Sequence, residues 1–529
     1  MTARTVRTTI AVTLVGAVLA GAAACSAPAE ENGGDPDAVT VGVAQEPDTL
    51  SPLLGYGREG NSKIFDGLLA HDAEMRLRPA LATKLPEVSD GGRTYTYTLR
   101  EGVEFSDGKP FTARDVVFTY RTILDKKTNN ASKGELEALK SVQARGDHTV
   151  VFRLKYPYAP FAERTVLPIA SRAVAGKQDV NSGDYNTKPV GTGPYTLAEW
   201  RRGEKLTFRA NPRYWGGEPK VRRFTVAVIE DDDVRATRLR SGDLDGAILP
   251  PNLAATFEKD DDKRTHRATT ADYRAVSLPT DGRVTGDTAI RRALDLAVDR
   301  KAMVKGILSG AGKVAHGPLP TDSPWFTRGT ERPHDLAKAR RILDAAGWKK
   351  GEDGIRRKDG RRAAFTLWYF SGDKLRQDHA LAYASDAKKA GIKVTVEAGS
   401  REKVQPRLEK EAMLMGNGFP ADPDFDLYPT LHSSQAHQGW NNMAGYRNDE
   451  VDEQLERARR SGDKAERGKA YDAAQRALAR DPGYTFLTHI DHLYVLRDDW
   501  KDLTTQVEPH DHGIGAGPWW NVQDWQPST

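Results

Sequence analysis

Residues 89–118, SDGGRTYTYTLREGVEFSDGKPFTARDVVF, constrain this chain more than any other stretch. Tyr95, Tyr97 and Leu99 alternate with Thr94, Thr96, Thr98 and Arg100, the period of a strand buried on one face. Gly102 ends the run, and Ser106-Asp107-Gly108 supplies the polar and positive-φ residues of a tight reversal. Thr112 followed three residues later by Asp115 then spells a capping box, and Val116, Val117, Phe118 and Tyr120 give the helix its apolar face. Strand, turn and capped helix follow from these residues; a function does not.

The rest of the chain sets the scale. At 529 residues it is long enough for two or more lobes, each with a core of its own. Lysine plus arginine exceeds aspartate plus glutamate by only four, 78 against 74, which argues against a concentrated basic face and a nucleic-acid partner. Arg4 and Arg7, an apolar run over 10–19 and the small residues 21–24 precede Cys25, the single cysteine. Two readings stand: an ordinary secretory signal cleaved near Ala24, or a lipoprotein signal in which Cys25 becomes the acylated first residue. The position three before the cysteine, where most lipoboxes carry Leu, is Ala22. Residues 26–37 are small, acidic and rich in Gly and Pro, as suits a flexible tether.

Further along, Val39, Val41 and Val43 alternate as a strand, and residues 61–69 (NSKIFDGLL) read as a helix. A second charged helix is expected near 133–139. PVGTGPYTLAEW, residues 189–200, has glycines suited to close backbone passage but no Gly-Lys-Ser or Gly-Lys-Thr, so it is no P-loop. Residues 221–228, 231–240 and 247–249 read as strand, helix and strand. Helices follow at 290–308 and 336–348, then strand, helix and strand over 363–397, and a split pair of amphipathic helices over 448–478. No G-x-S-x-G elbow, H-E-x-x-H helix or catalytic cysteine context occurs, and an exported hydrolase is the less favoured alternative.

From about residue 39 to its end the chain resembles the family 5 solute-binding proteins, the peptide- and nickel-binding subunits of ABC importers. The run S-x-DG-x-x-YTF-x-LR-x-GV-x-F-x-DG-x-P-x-TA-x-DV is matched over 89–117 at nearly every fixed position, and 189–217 and 290–300 carry further matches. The resemblance implies an α/β, two-lobed periplasmic-binding-protein-like fold (type II, cluster C), with an additional small domain inserted in the N-terminal lobe. Lobe I is expected over 38–70, 189–271 and 496–529, the small domain over 71–188 and lobe II over 272–495. It further implies a monomeric, membrane-tethered receptor facing outside the cytoplasm and anchored through Cys25. Such a receptor captures oligopeptides, performs no chemistry, needs no cofactor, and passes its cargo to ABC permease and ATPase subunits. The alternative is a non-peptide solute such as a nickel chelate or a sugar.

The resemblance places the ligand contacts in residues 416–446. Peptide-binding relatives carry W-x-x-D-Y-x-D-P here, the first aspartate pairing with the ligand's amino terminus. Asp422-Pro423 matches the final Asp-Pro, and Phe419 stands where that aspartate would be. A buried ammonium without a carboxylate costs several kcal/mol, so Asp424 or Asp426 substitutes from a shifted loop, or the ligand has no free amine. The plainer role for Asp422 and Asp424 is capping a helix that starts near Phe425. The candidate ligand contacts are Phe419, Asp422, Asp424, Trp440, Asn442 and Tyr446. Trp519, Trp520 and Trp525 are pocket or packing residues. His489 and His492, three apart on an expected strand, point to opposite faces, and His510 with His512 reads as a surface turn; no metal site is assigned.

Overall fold

The computed structural model describes residues 37–130, 133–510 and 515–528; Cys25, the tether up to residue 36 and His512 lie outside them. The signature stretch forms as its residues dictate. Thr94–Thr98 is a strand with Tyr95 and Tyr97 buried, and Gly108 turns the chain at φ +80°. Thr112 then caps the helix Ala113–Leu124: its hydroxyl accepts the Arg114 N–H, and the Asp115 carboxylate accepts the Thr112 N–H at 2.9 Å.

Two large sheets organise the described residues. The first has seven strands, in spatial order Lys263–Ala268, His492–Arg497, Gly246–Leu249, Ala38–Val43, Arg223–Val228, Lys205–Ala210 and Tyr195–Arg201. Ala38–Val43 runs parallel to both of its neighbours, and the other pairings are antiparallel. The second has six strands, in the order Gly312–Val314, Tyr484–Ile490, Tyr273–Ser277, Ala412–Asn417, Ala364–Phe370 and Lys393–Gly399.

Each sheet buries both faces, which is why its central strands read as near-continuous apolar runs. One face of the second sheet packs on helices Thr288–Ala297, Leu336–Ala345 and Lys374–Lys389, the other on Asp449–Arg460 and Lys464–Arg480. The first sheet has Ala236, Leu239, Leu244 and Phe257 on one side. On the other, Val39, Val41, Phe208 and Phe224 join a cluster that also takes in Tyr97, Tyr120 and Phe152. A four-stranded sheet, Glu87–Ser89, Thr94–Thr98, Thr149–Leu154 and Leu139–Ala144, therefore shares its apolar core with the first large sheet. Trp519 and Trp525 complete that core from the chain's C-terminal end, whereas Trp520 is partly exposed.

Among the described residues no apolar cluster draws on both large sheets. The chain passes between them twice, at residues 269–272 and at 491. The second passage falls earlier than the 495/496 boundary read from the sequence: His492–Arg497 pairs with Gly246–Leu249 and Lys263–Ala268, so it belongs to the first sheet. His489 and His492 accordingly sit on different strands, one on each side of the passage.

Residues 61–69 form no helix, despite their apolar spacing. Their backbone groups are taken by distant partners: Ile64 O accepts from Gly193 N–H at 2.8 Å, Lys63 O from Tyr195 N–H, and Leu68 N–H donates to Thr165 O. The Ser62 hydroxyl accepts the Ile64 and Phe65 N–H groups. The helix expected near 133–139 reduces to the short 3-10 turn Lys133–Leu136, followed at once by a strand. These contacts explain the glycines of residues 189–194. A Cβ on Gly193 would lie 2.6 Å from the Ile64 carbonyl carbon and 2.7 Å from the Phe65 nitrogen, both backbone atoms. Gly193→Ala should lower the unfolding free energy by roughly 2–3 kcal/mol. Gly203→Ala, at φ +73° but with nothing within 4 Å, should cost only about 1 kcal/mol. Urea midpoints of the two variants check this ordering.

Candidate functional site

The strand Ala412–Asn417 leads into a loop that crosses the first passage between the sheets. Gly418, at φ +149°, lies so close that a Cβ there would stand 2.0 Å from Ala271 O, and Gly418 O accepts the His510 N–H at 2.7 Å. Three aspartates follow at alternate positions, 422, 424 and 426, leading into and opening the helix Asp424–Leu431. All three are buried, and each has met its charge differently.

Asp422 accepts from one Arg467 nitrogen through both of its carboxylate oxygens, at 2.7 and 2.9 Å, and accepts the Asp424 N–H at 2.9 Å. It therefore anchors the helix start, although the N-cap position itself is Pro423. Asp424 accepts the Tyr158 hydroxyl at 2.7 Å and pairs with Arg459 at 3.1 Å. Burial pushes its carboxyl above the usual range, against the pull of Arg459. Tyr158 belongs to the segment packed with the first sheet, so this hydrogen bond joins the two halves. Asp426 accepts the Phe419 N–H through Oδ1 at 2.9 Å, and its Oδ2 has no hydrogen-bond partner among the described residues. Burial drives the Asp426 carboxyl well above its ordinary range, and the carboxylates of Glu59, Asp272 and Asp422 push the same way.

Aromatic contacts line the same seam. The Phe419 ring meets Phe425 edge-on at 5.2 Å and His71, from the other half, at 6.1 Å. The Arg164 guanidinium lies 3.7 Å over Phe425 and is paired with Glu135 at 2.6 Å. Arg459 stacks at 3.5 Å on Tyr428 and stands 3.8 Å from Glu137 across the seam. Phe419, Asp422 and Asp424 are thus brought together. Trp440, Asn442 and Tyr446 have other surroundings. Trp440 packs on Phe370 and beneath Arg401. Asn442 holds the loop by donating to His432 O and Tyr446 O and accepting the Tyr446 N–H. Tyr446 is fully buried in the core, its ring against Gly483.

A second buried charge cluster sits where the chain passes between the sheets. Asp272 accepts from Arg274 and His510 at 2.5 and 2.6 Å and lies 3.3 Å from His492. His492 also contacts Glu508, which accepts the Tyr494 hydroxyl at 2.6 Å. Asp272 is itself desolvated, but Arg274 and the histidines hold its carboxyl well below the usual range. Burial alone would depress His492; Glu508 and Asp272 prevail and raise it to about 10. Sequence reasoning missed this cluster, since Asp272 and Arg274 lie more than two hundred residues before His492, Glu508 and His510, as it missed Tyr158, Arg164, Arg459 and Arg467. Among the described residues no group of three or more His, Cys, Asp or Glu is arranged to hold a metal ion.

Two layered α/β halves, joined by two short passages and meeting along a charged and aromatic seam, define a periplasmic-binding-protein-like receptor. The chain belongs to the bacterial extracellular solute-binding proteins, family 5, whose middle region matches residues 76–438. It is 64% identical over 507 residues, 95% of this chain and 93% of the relative, to protein XP55 of Streptomyces lividans. Two solved structures are similar in fold, each over 93% of this chain and 99% of their own. One is the oligopeptide-binding protein AppA of Bacillus subtilis in complex with a nonapeptide, 28% identical with a TM-score of 0.81. The other is NikZ of Campylobacter jejuni in complex with Ni(L-His), 30% identical with a TM-score of 0.84.

The cluster at the passages makes stability depend on pH in a defined direction. With its folded value raised to about 10, His492 contributes stability that is fully present below its unfolded value of about 6.5 and is lost as pH rises through the folded one. Thermal unfolding followed from neutral to alkaline pH should show this loss in the native protein, and His492→Gln should flatten it over the same range.

Proposed function

We propose that this protein is the extracytoplasmic receptor of an ABC importer, which captures oligopeptides between its two halves and hands them unchanged to a membrane permease. The observation that carries this reading is the nature of the contact between the halves. They share no apolar cluster among the described residues. They meet instead through separable polar and aromatic contacts, Asp424 with Tyr158, Arg164 with Phe425 and Arg459 with Glu137. Contacts of this kind are made and broken without exposing a core, as hinge closure around a ligand requires. Relatedness to an oligopeptide-binding protein, AppA, over 87% of both chains supports the choice of cargo.

A second reading rests on Phe419. An aromatic ring packed between Phe425 and His71 stands where the peptide-binding motif carries its amine-pairing aspartate, which favours a solute without a free amine, such as a metal chelate. Mass spectrometry of co-purifying solute, followed by calorimetry with di- to pentapeptides and with nickel–histidine, separates the two. Peptides should bind and be recovered intact; tight binding of the nickel chelate with none of peptides would establish the second reading.

Tyr158→Phe removes a hydrogen bond that exists only when the halves meet. It should weaken peptide binding by about 1–3 kcal/mol, read by calorimetry, with the urea midpoint of the ligand-free protein little changed. The membrane tether belongs to the same reading. Cys25→Ala should release the protein from the cell surface into the medium and abolish incorporation of labelled fatty acid.

A further inference from the structure

The balance of charge over the whole chain hides a local excess. Residues 349–362, KKGEDGIRRKDGRR, hold seven cationic side chains and three carboxylates, a surplus as large as that of all 529 residues, so the remainder of the chain is neutral on balance. They fold into a three-stranded antiparallel sheet, Lys349–Lys350, Arg356–Lys358 and Arg361–Arg362, which lies along the chain between the helix Leu336–Ala345 and the strand Ala364–Phe370 of the second half. Every cross-strand pair sets cation against cation: Lys349 opposite Arg357, Lys350 opposite Arg356, Arg357 opposite Arg362 and Lys358 opposite Arg361. Like charges directly opposite weaken a sheet, so these have to be answered from outside the strands.

On one face they are answered by the body of the protein. Arg356 is buried, donates to Trp348 O at 2.6 Å and to Ala390 O at 3.0 Å, and pairs with Asp344. Lys358 reaches Asp287 at 3.0 Å, and Arg361 donates to Arg283 O at 3.2 Å and stands 3.8 Å from Asp359 in the adjoining turn. Opposed residues share a face, so Lys349, Arg357 and Arg362 form one row across the other side, three charges within about 10 Å. A single carboxylate serves that row: Asp353, in the first turn, stands 2.7 Å from Arg362 and 3.5 Å from Arg357. Lys349 is exposed and makes no ion pair among the described residues. The row has no aromatic or apolar member.

Granting the tethered-receptor reading on which this rests, we propose that the row Lys349, Arg357 and Arg362 is a docking surface for the anionic phospholipid headgroups of the membrane. Cations set across a sheet face, with no apolar side chain to insert, match a plane of phosphates, and the row is about one Debye length long, so its charges act on such a plane together. Cys25 stands twelve residues before residue 37, the first one described, a reach of roughly 40 Å at full extension. An acylated Cys25 therefore keeps the whole body near the bilayer, and electrostatics decides which surface faces it. The headgroups supply the counter-charge that the three strands lack, and docking holds the second half at the membrane where cargo is handed over.

Vesicle sedimentation of the Cys25→Ala protein, in which no acyl anchor takes part, provides the test. It should bind vesicles of phosphatidylglycerol and phosphatidylcholine in equal parts at least about tenfold more tightly than vesicles of phosphatidylcholine alone in about 0.05 M salt, and lose that preference in about 0.5 M salt. In the same background Lys349→Gln/Arg357→Gln/Arg362→Gln should lose about tenfold or more of the binding, and Lys349→Gln/Arg357→Gln, which keeps the Asp353–Arg362 pair, about threefold or more. Lys126→Gln/Lys127→Gln/Lys140→Gln makes the same change in net charge on exposed side chains of the first half and should bind like its parent. Equal binding to neutral vesicles, binding to neither kind, or an equal loss in this control overturns the surface. Binding of free polyphosphate that the row variants abolish, in a protein that leaves anionic vesicles unbound, makes the occupant a soluble polyanion and overturns it too. Each of these failures leaves the receptor reading in place, and the row variants should still capture peptides at the parent level. Failure of Cys25 to take up labelled fatty acid removes the tether, and the proposal with it.

Discussion

Carboxylates removed from water have to be answered, and this structure is arranged around how its buried acids are answered. Asp422, Asp424 and Asp426 occupy alternate positions in one short segment, yet each finds a different solution: an arginine of the same half, an arginine plus a tyrosine of the other half, and a backbone amide with one oxygen left open. The chemistry of the three side chains is identical. Their differences come from what the helices Asp449–Arg460 and Lys464–Arg480 and the segment around Tyr158 bring within reach. Three different electrostatic surroundings are thereby set up within five residues.

The same logic holds where the chain passes between the sheets. Asp272 and Glu508 are fully buried at that point, with His492 in contact with both. An imidazolium between two carboxylates ties the second passage to the first and to the C-terminal arm, so the joint is a defined object and not a slack linker. Apolar packing ends on either side of it. The large free energies of core burial are thus confined within each half, leaving only small, reversible terms between them.

Legibility from sequence followed the range of the interactions. The strand, turn and capped helix of residues 94–124 could be read because Thr112 with Asp115, and Tyr95 with Tyr97, act over two or three positions. Ile64, Phe65, Leu68 and Leu69 carry helical spacing, and all are buried, but the backbone there bonds to Gly193, Tyr195 and Thr165, partners that no local pattern reveals. The passage at Asp491 was placed too late for a related reason: only pairing with Gly246–Leu249 and Lys263–Ala268 shows that His492–Arg497 already belongs to the first sheet. Within the candidate site the segment of the three aspartates was legible through its motif. The side-chain partners that distinguish Asp422 from Asp424 lie about 35 to more than 260 positions away.

The first core is assembled from both ends of the chain. Val39 and Val41 enter it at the start, while Trp519, Val522 and Trp525 close it at the finish. The second sheet and its helices, by contrast, lie within one uninterrupted stretch, 273–490. Contacts between residues 39–41 and 519–525 give the first core a far larger sequence separation than any the second requires, so closing the first costs more chain entropy and is the slower of the two assemblies.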